Sequence, residues 1–453
     1  VSRVPGIAGL LLLLGVYACD AGHGFVKDDF NWILTSRIER PDEIGRLLGA
    51  ATGFFRPVVS FSFALDYWLF GLDPLGYGLT NLVLALACVG ALTLLLNTAI
   101  PDRRIAVPLA LLWALNFHAI NMAVLWISGR TALLVTLFAV AAAWAWTRGF
   151  LPVSALLAMT AMWAKEEALI LPAIFTAWAL LDPEARIQHV VRRTWAFWVV
   201  AAVSLGCRTW AGAFTPGSAP DVYRYRYDIA TLGGNALAYL DRAGTTPLLA
   251  LLVFWLAAGR PRLRGALDAI KERAASALVW RGAVWLIFAF VPTILLPVRS
   301  SLYAVLPSVG VVMIVGGIVQ GIIGQVSPAA RVRAVAVMTA LFVALAPAYR
   351  LRNARYVAEA ELSAAILGEI PSIAAAHPKG GLVLIRDARD ARPTAEQAFG
   401  PLADRAARLV TDGTIRLWID PPPAELAGAV APADLGSPVA ILEVKGGSVR
   451  RID

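Results

Sequence analysis

Two adjacent acids, Asp28 and Asp29, stand in the stretch GHGFVKDDFNW, next to Lys27 and flanked by Phe30 and Trp32. An ionised carboxylate gains nothing from apolar surroundings, so the pair is either a solvated loop or a place where protons move. Further along, single cations recur in apolar company: Arg56 in FFRPV, Arg130 after LWISG, Lys165 with Glu166 and Glu167 in AKEEA, and Arg299 before SSLY. Acids that deprotonate a hydroxyl, set beside separated cations that hold a phosphate, suit transfer of a group away from an anionic leaving group. Each also has a plainer reading. The acids can be solvated, the arginines can anchor or snorkel at an interface, and Lys165–Glu166 can be an ion pair at a helix end.

What must position these residues is a membrane bundle. Of the 453 residues 58% are hydrophobic and 16% charged, and the mean hydropathy is +0.68, far from a soluble globular composition. Runs such as Leu82–Leu96, Leu133–Trp146 and Ala334–Ala346 each approach what a hydrocarbon core of ~30 Å requires. The run Gly6–Cys19 follows Arg3 and has no small-residue cleavage site after it, so it reads as a retained signal-anchor helix. Cys19, Cys88 and Cys207 are widely separated and read as packing residues. The net charge of +9 sits in short loops between spans, which argues for the positive-inside rule and against nucleic acid.

With the N-terminus cytoplasmic, eleven spans are expected, and the basic loops PDRR, TRG, DPEARIQHVVRR, GRPRLRG and SPAARVR all fall inside. The extracytoplasmic side then collects Asp28, Asp29, Arg56, Arg130, Lys165, Glu166, Glu167 and Arg299. It also receives the basic YRYRYD stretch, which the rule does not explain. The first loop, about 21–75, contains an apolar aromatic stretch, Pro57–Leu69, that reads as a helix lying in the interface, a wall for a lipid arriving sideways. The membrane domain extends over residues 1–350 and an amphipathic linker helix over 351–375. Residues 376–453 alternate strand, helix, strand and a further strand or hairpin, a small extracytoplasmic α/β domain. That domain has no Gly-rich phosphate loop and no Cys or His cluster, so it reads as a binding or docking module.

Seven short motifs occur in one order: DDF (Asp28–Phe30), FRPV (Phe55–Val58), FGLDPLGYGLTNLVLALA (Phe70–Ala87), VLWISGRTALLVTLF (Val124–Phe138), WAKEEALILP (Trp163–Pro172), RSSLYAVLPSVG (Arg299–Gly310) and RNARYVAEAEL (Arg352–Leu362). Over about residues 1–365 the chain thereby resembles GT-C glycosyltransferases, most nearly the protein O-mannosyltransferase-like branch, without the tetratricopeptide repeats usual there. The resemblance implies a GT-C fold and an inverting enzyme of the outer membrane face. Such an enzyme moves a mannose-like hexose from a polyprenyl-phosphate carrier to an acceptor hydroxyl on a protein, envelope glycan or lipid. It implies Asp28 as general base and Asp29 as its support. Arg56, Arg130, Lys165, Glu166 and Arg299 would meet the donor phosphate or sugar, and Tyr303 would line the donor pocket.

The chain departs from the family pattern where Gly78 and Ala85 replace histidines and Met122 replaces an acid. The sequence assigns no cofactor; a divalent metal is compatible with the resemblance, but no ligand cluster supports it. Two other readings stay open. The transferase could modify a lipid or polysaccharide, or the chain could be a non-catalytic polyprenyl-phosphate-binding protein or a transporter of lipid-linked sugar.

Overall fold

In the computed structural model, the described residues are 4–49, 53–100, 102–182, 185–213, 223–261, 273–411, 413–426 and 436–452. The stretch that follows GRPRLRG through Lys271, amphipathic by its sequence pattern, lies outside them, as do most of that loop and part of the DPEAR turn. The bundle is built from α1 (Val4–Tyr17), α4 (Pro74–Leu96), α5 (Arg103–Ala114), α7 (Arg130–Thr147), α8 (Leu151–Ala164), α9 (Leu171–Leu180), α10 (Ile187–Trp210) and α11 (Ile229–Ala257). It is completed by α12 (Arg273–Phe290), α13 (Val305–Ile323) and α14 (Pro328–Ala344). These are the eleven apolar helices expected from the sequence, at shifted ends; the ninth occupies Arg273–Phe290 rather than about 282–297. Among the described residues, six helical segments are individually long and apolar enough to cross a membrane. Trp146 stacks on Phe175 at 5.9 Å and meets Trp178 at 5.8 Å, and Trp178 in turn meets Trp285.

Between α1 and α4 the first loop folds into α2 (Asp28–Ser36), a short 3-10 stretch (Pro41–Leu48) and α3 (Pro57–Phe70). Pro57 starts α3 where its missing N–H costs nothing. Val59, Phe63 and Asp66 of α3 face inward, while Phe61, Leu65, Leu69 and Trp68, the last 78% exposed, face away. That two-sided pattern suits the interfacial helix expected there. A short α6 (Asn121–Leu125) precedes α7.

The linker is one helix, α15 (Ala346–Ala376), five residues longer at its start than the expected 351. After it come β1 (Gly381–Asp387), α16 (Ala395–Phe399), α17 (Ala403–Thr411), β2 (Ile415–Asp420), β3 (Ala440–Lys445) and β4 (Ser448–Arg451). The sheet order is β2-β1-β3-β4. β1 is parallel to both β2 and β3, and β3–β4 is an antiparallel hairpin. Its tight turn is made by Gly446 and Gly447, with φ of +57° and +75°, values that L side chains avoid.

This domain packs directly on the first loop. Phe399 stacks on Phe30 at 5.5 Å, and the Lys27 backbone N–H donates to the Ala398 carbonyl at 2.9 Å. Arg405 of α17 donates to the Asn31 side chain.

Candidate active site

Helix α2 begins at Asp28, and the residue before it, Lys27, has φ +50°, uncommon without a glycine. Two contacts hold that turn: the Ala398 carbonyl already described, and a 2.9 Å ion pair from Lys27 Nζ to Glu359 of α15. The turn sends the two acids in opposite directions. Asp29 is fully buried and accepts from the Val26 N–H at 2.9 Å, from the Ser128 N–H at 2.7 Å and from the Ser128 hydroxyl. Burial nevertheless dominates and raises its carboxyl to about 7, against those hydrogen bonds. Asp28 is surface-accessible and accepts no hydrogen bond from a described residue. It stands on the rim of a polar cleft of about 920 Å³. The protein crowded around its carboxyl pushes it above the usual range, while the charge of Arg56, and then of Lys27, pulls it down. A carboxylate raised in this way and left without a partner is suited to accept a proton.

Arg56 leads into the second group. Its Nε donates to Glu166 Oε2 at 3.0 Å and its Nη2 to Oε1 at 2.5 Å, a two-pronged pair. Arg208 of α10 approaches the same carboxylate at 3.8 Å. Burial alone would raise Glu166, but Arg56, Arg208 and Lys165 outweigh it and hold the carboxyl at about 2. Lys165 pairs with Glu167 at 2.5 Å and lies over the Tyr303 ring at 5.0 Å. Glu166, Glu167, Arg208, Tyr223 and Tyr303 line a cavity of about 280 Å³, closed on its apolar side by residues such as Leu205 and Leu296. The Asp28 charge reaches Tyr223 in this cavity, so the acid and the cationic group are neighbours.

Arg299 sits at the edge of this group. Its Nε donates to Asn235 at 2.7 Å, and the side chain is exposed. Its charge is felt at Tyr239, whose ring packs edge-on to Tyr303 at 6.2 Å. The structure therefore brings Asp28, Arg56, Lys165, Glu166 and Tyr303 together, with Arg299 beside them.

Arg130 is placed differently. It is 0% exposed and pairs with Asp66 of α3 at 2.6 Å. Its other donors go to Asn81 at 3.1 Å, to the Tyr77 carbonyl at 3.1 Å and to the Ser62 hydroxyl at 3.2 Å, with the Phe63 ring 4.2 Å below. With every arm engaged, Arg130 fastens α3 and α4 to α7 and presents no face to a phosphate. The departures from the family pattern have physical counterparts. At Gly78 a Cβ would lie 1.9 Å from the Ala21 carbonyl oxygen, so no side chain fits. Ala85 is fully buried, and the Met122 sulfur accepts from the Ser300 hydroxyl at 3.7 Å. Among the described residues no group of three His, Cys, Asp or Glu converges as a metal site.

Sequence reasoning passed over Arg208. It is 2% exposed and lines the cavity; its Nη2 donates to the Met162 carbonyl at 2.6 Å, while Nε and Nη1 make no hydrogen bond, Nη1 having only the long 3.8 Å approach to Glu166. Buried guanidinium donors without hydrogen bonds beside a cavity favour an anion there. The signal in the sequence was an arginine inside an apolar helix, WVVAAVSLGCRTW, a place where charge is costly.

An apolar bundle, a helical first loop that carries acids beside a cationic cavity, and a small α/β domain docked over that loop make up the GT-C class of membrane fold. Two solved structures that resemble the chain are of ArnT from Cupriavidus metallidurans. The apo state matches with a TM-score of 0.60 at 12% identity, over 96% of this chain and 92% of that one. The state bound to undecaprenyl phosphate matches with a TM-score of 0.53 at 14% identity, over 97% and 92%. No protein-family profile and no curated protein sequence matches the chain. The likeness is one of fold, and it does not single out the O-mannosyltransferase branch.

Proposed function

We propose that the protein is an inverting glycosyltransferase that takes a hexose, mannose-like by its sequence resemblance, from a polyprenyl-phosphate donor to an acceptor hydroxyl. The observation that carries this reading is Arg208, buried with two nitrogens that make no hydrogen bond, in a cavity whose Glu166 pairs with Arg56 and whose Tyr223 feels the charge of Asp28. The cavity's apolar side suits the first units of a lipid chain, and one of the ArnT structures of the same fold holds undecaprenyl phosphate. The donor phosphate enters between Arg208 and Arg56, taking over part of the charge that Glu166 now meets. Asp28 accepts the proton of the acceptor hydroxyl as its oxygen bonds to the anomeric carbon. The carbon–oxygen bond to the phosphate breaks on the opposite face, and the departing polyprenyl phosphate keeps the electron pair, stabilised by the guanidinium groups. Asp29 and Arg130 hold the scaffold, Asp29 by fixing α2 to Ser128 and Arg130 by fixing α3. The site lies on the extracytoplasmic side, with the N-terminus cytoplasmic, as the distribution of basic loops suggests.

The test uses the full-length protein in lipid nanodiscs with radiolabelled polyprenyl-phosphate mannose and glucose. Release or transfer of labelled sugar by the wild type, and a fall of at least a hundredfold in Arg208→Ala, is expected. Absence of both release and donor binding in the wild type would overturn the reading.

A further inference from the structure

The cleft at Asp28 has two walls from opposite ends of the chain. Lys27, Asp28 and Trp126 belong to the membrane domain, whereas Arg389, Arg392, Thr394, Gln397 and Glu425 belong to the C-terminal domain. Its position on that domain follows a rule of topology. β1 is followed in space by β2 on one side and β3 on the other, so the chain reverses its winding at β1. In open parallel sheets ligands settle outside the carboxyl ends of the strands, at such a reversal. Arg389, Arg392 and Thr394 lie in the segment that leaves the carboxyl end of β1, and Glu425 follows that of β2. Here that crevice opens onto a carboxylate of the membrane domain.

The cleft at Asp28 and the cavity at Arg208 differ in chemistry. The cavity is narrow, with tyrosines and leucines among its walls. The cleft is wider and carries both signs of charge, amide and hydroxyl groups, and the indole of Trp126. Arg389 is already engaged, donating to the Pro421 and Pro422 carbonyls and pairing with Glu396 at 3.2 Å. Arg392 is exposed and makes no hydrogen bond or ion pair with a described residue. Three cations and four acids, nearly in balance around an aromatic face, fit a neutral, hydroxyl-rich ring: they offer many hydrogen bonds and little net charge.

We propose that the C-terminal domain is the acceptor-binding half of the site and that the cleft takes a saccharide, whose hydroxyl it presents to Asp28. This rests on the transferase reading for its consequence, but saccharide binding can be measured without it.

The probes are free oligosaccharides on an array, the same head groups on lipids in vesicles, and serine/threonine peptides. Each is offered to the full-length protein in nanodiscs. Saccharide binding is expected to weaken at least tenfold in the double variant Arg392→Ala, Glu425→Gln, with an unchanged melting temperature, and Arg392→Lys alone is expected to restore part of it relative to Arg392→Ala. Preference for the lipid-borne or the free form identifies the source of the sugar, either result supporting the inference. It is overturned if no saccharide binds, if binding is indifferent to both substitutions, or if only the peptides bind. Failure of the donor assay with saccharide binding intact refutes the transferase reading alone.

Discussion

Replacing Asp28 or Asp29 with Asn should give opposite results, although the two residues are neighbours. Asp29 receives two donors from Ser128 on one oxygen and the Val26 N–H on the other. An asparagine can keep the first oxygen, but its amide nitrogen then confronts the Val26 N–H. A hydrogen bond to a charged group is worth about 1.5–3 kcal/mol, and a buried donor left unmet costs about 1–3 kcal/mol. Removing a carboxylate whose ionisation burial already disfavours returns part of that, leaving a net loss of roughly 2–4 kcal/mol.

Asp28 accepts nothing from the described protein, so Asp28→Asn should change stability by no more than about 0.5 kcal/mol. Loss of a general base costs about 10²- to 10⁴-fold in rate. The assay pairs thermal melting in detergent with the rate of sugar transfer or release from the polyprenyl-phosphate donor. Asp29→Asn should melt about 2–4 °C lower, and Asp28→Asn should melt like the wild type with its rate collapsed. If Asp28→Asn melts as low as Asp29→Asn, or keeps its rate, the division of labour drawn from the α2 turn is wrong.

The pH dependence of melting tests the same residue. Asp29 titrates near about 7 when folded, against an ordinary 3.8. Between those values the folded protein keeps a proton that the unfolded chain has released, so stability from this group falls as pH rises, by up to about 1.4 kcal/mol per unit, and levels off above pH 7. Asp29→Asn should lack that slope. Arg130→Met strands Asp66 in the interior and should cost about 3–5 kcal/mol, with Asp66→Leu added to it recovering much of the loss in melting measurements. Arg56→Lys surrenders the two-pronged geometry and should raise the donor KM about tenfold without a comparable fall in melting temperature. Gly78→Ala drives a methyl against the Ala21 carbonyl and should destabilise by about 1–3 kcal/mol, visible as faster proteolysis of the first loop.

The parts of this protein that could be read from sequence are those set by local pattern. Apolar runs placed the eleven helices, and the aromatic stretch after Pro57 marked α3. The alternation after Ala376 gave the order of strand and helix in the small domain. Lone charges in apolar company pointed to Arg56, Lys165 and Glu166, which do converge. Direction was harder. Arg130 and Arg56 have similar surroundings in sequence, and what separates them is Asp66, which captures Arg130 from 64 positions away only once α3 has packed against α4 and α7. Asp66 itself, like Arg208, was visible as a single charge in a greasy helix and was passed over. Nothing local in GHGFVKDDFNW shows that Asp28 faces the segment after β1, because that contact joins the two ends of the chain.

The hydrogen bond from the Lys27 backbone to Ala398, with Phe399 against Phe30, has a consequence for biosynthesis. The first loop leaves the ribosome early, yet the turn that aims its acid is clamped by residues made some 370 positions later. A nascent chain can insert its spans one after another while its site stays unformed. The C-terminal domain therefore acts as a checkpoint: a chain lacking it can still insert its spans, but the turn that aims Asp28 loses its clamp.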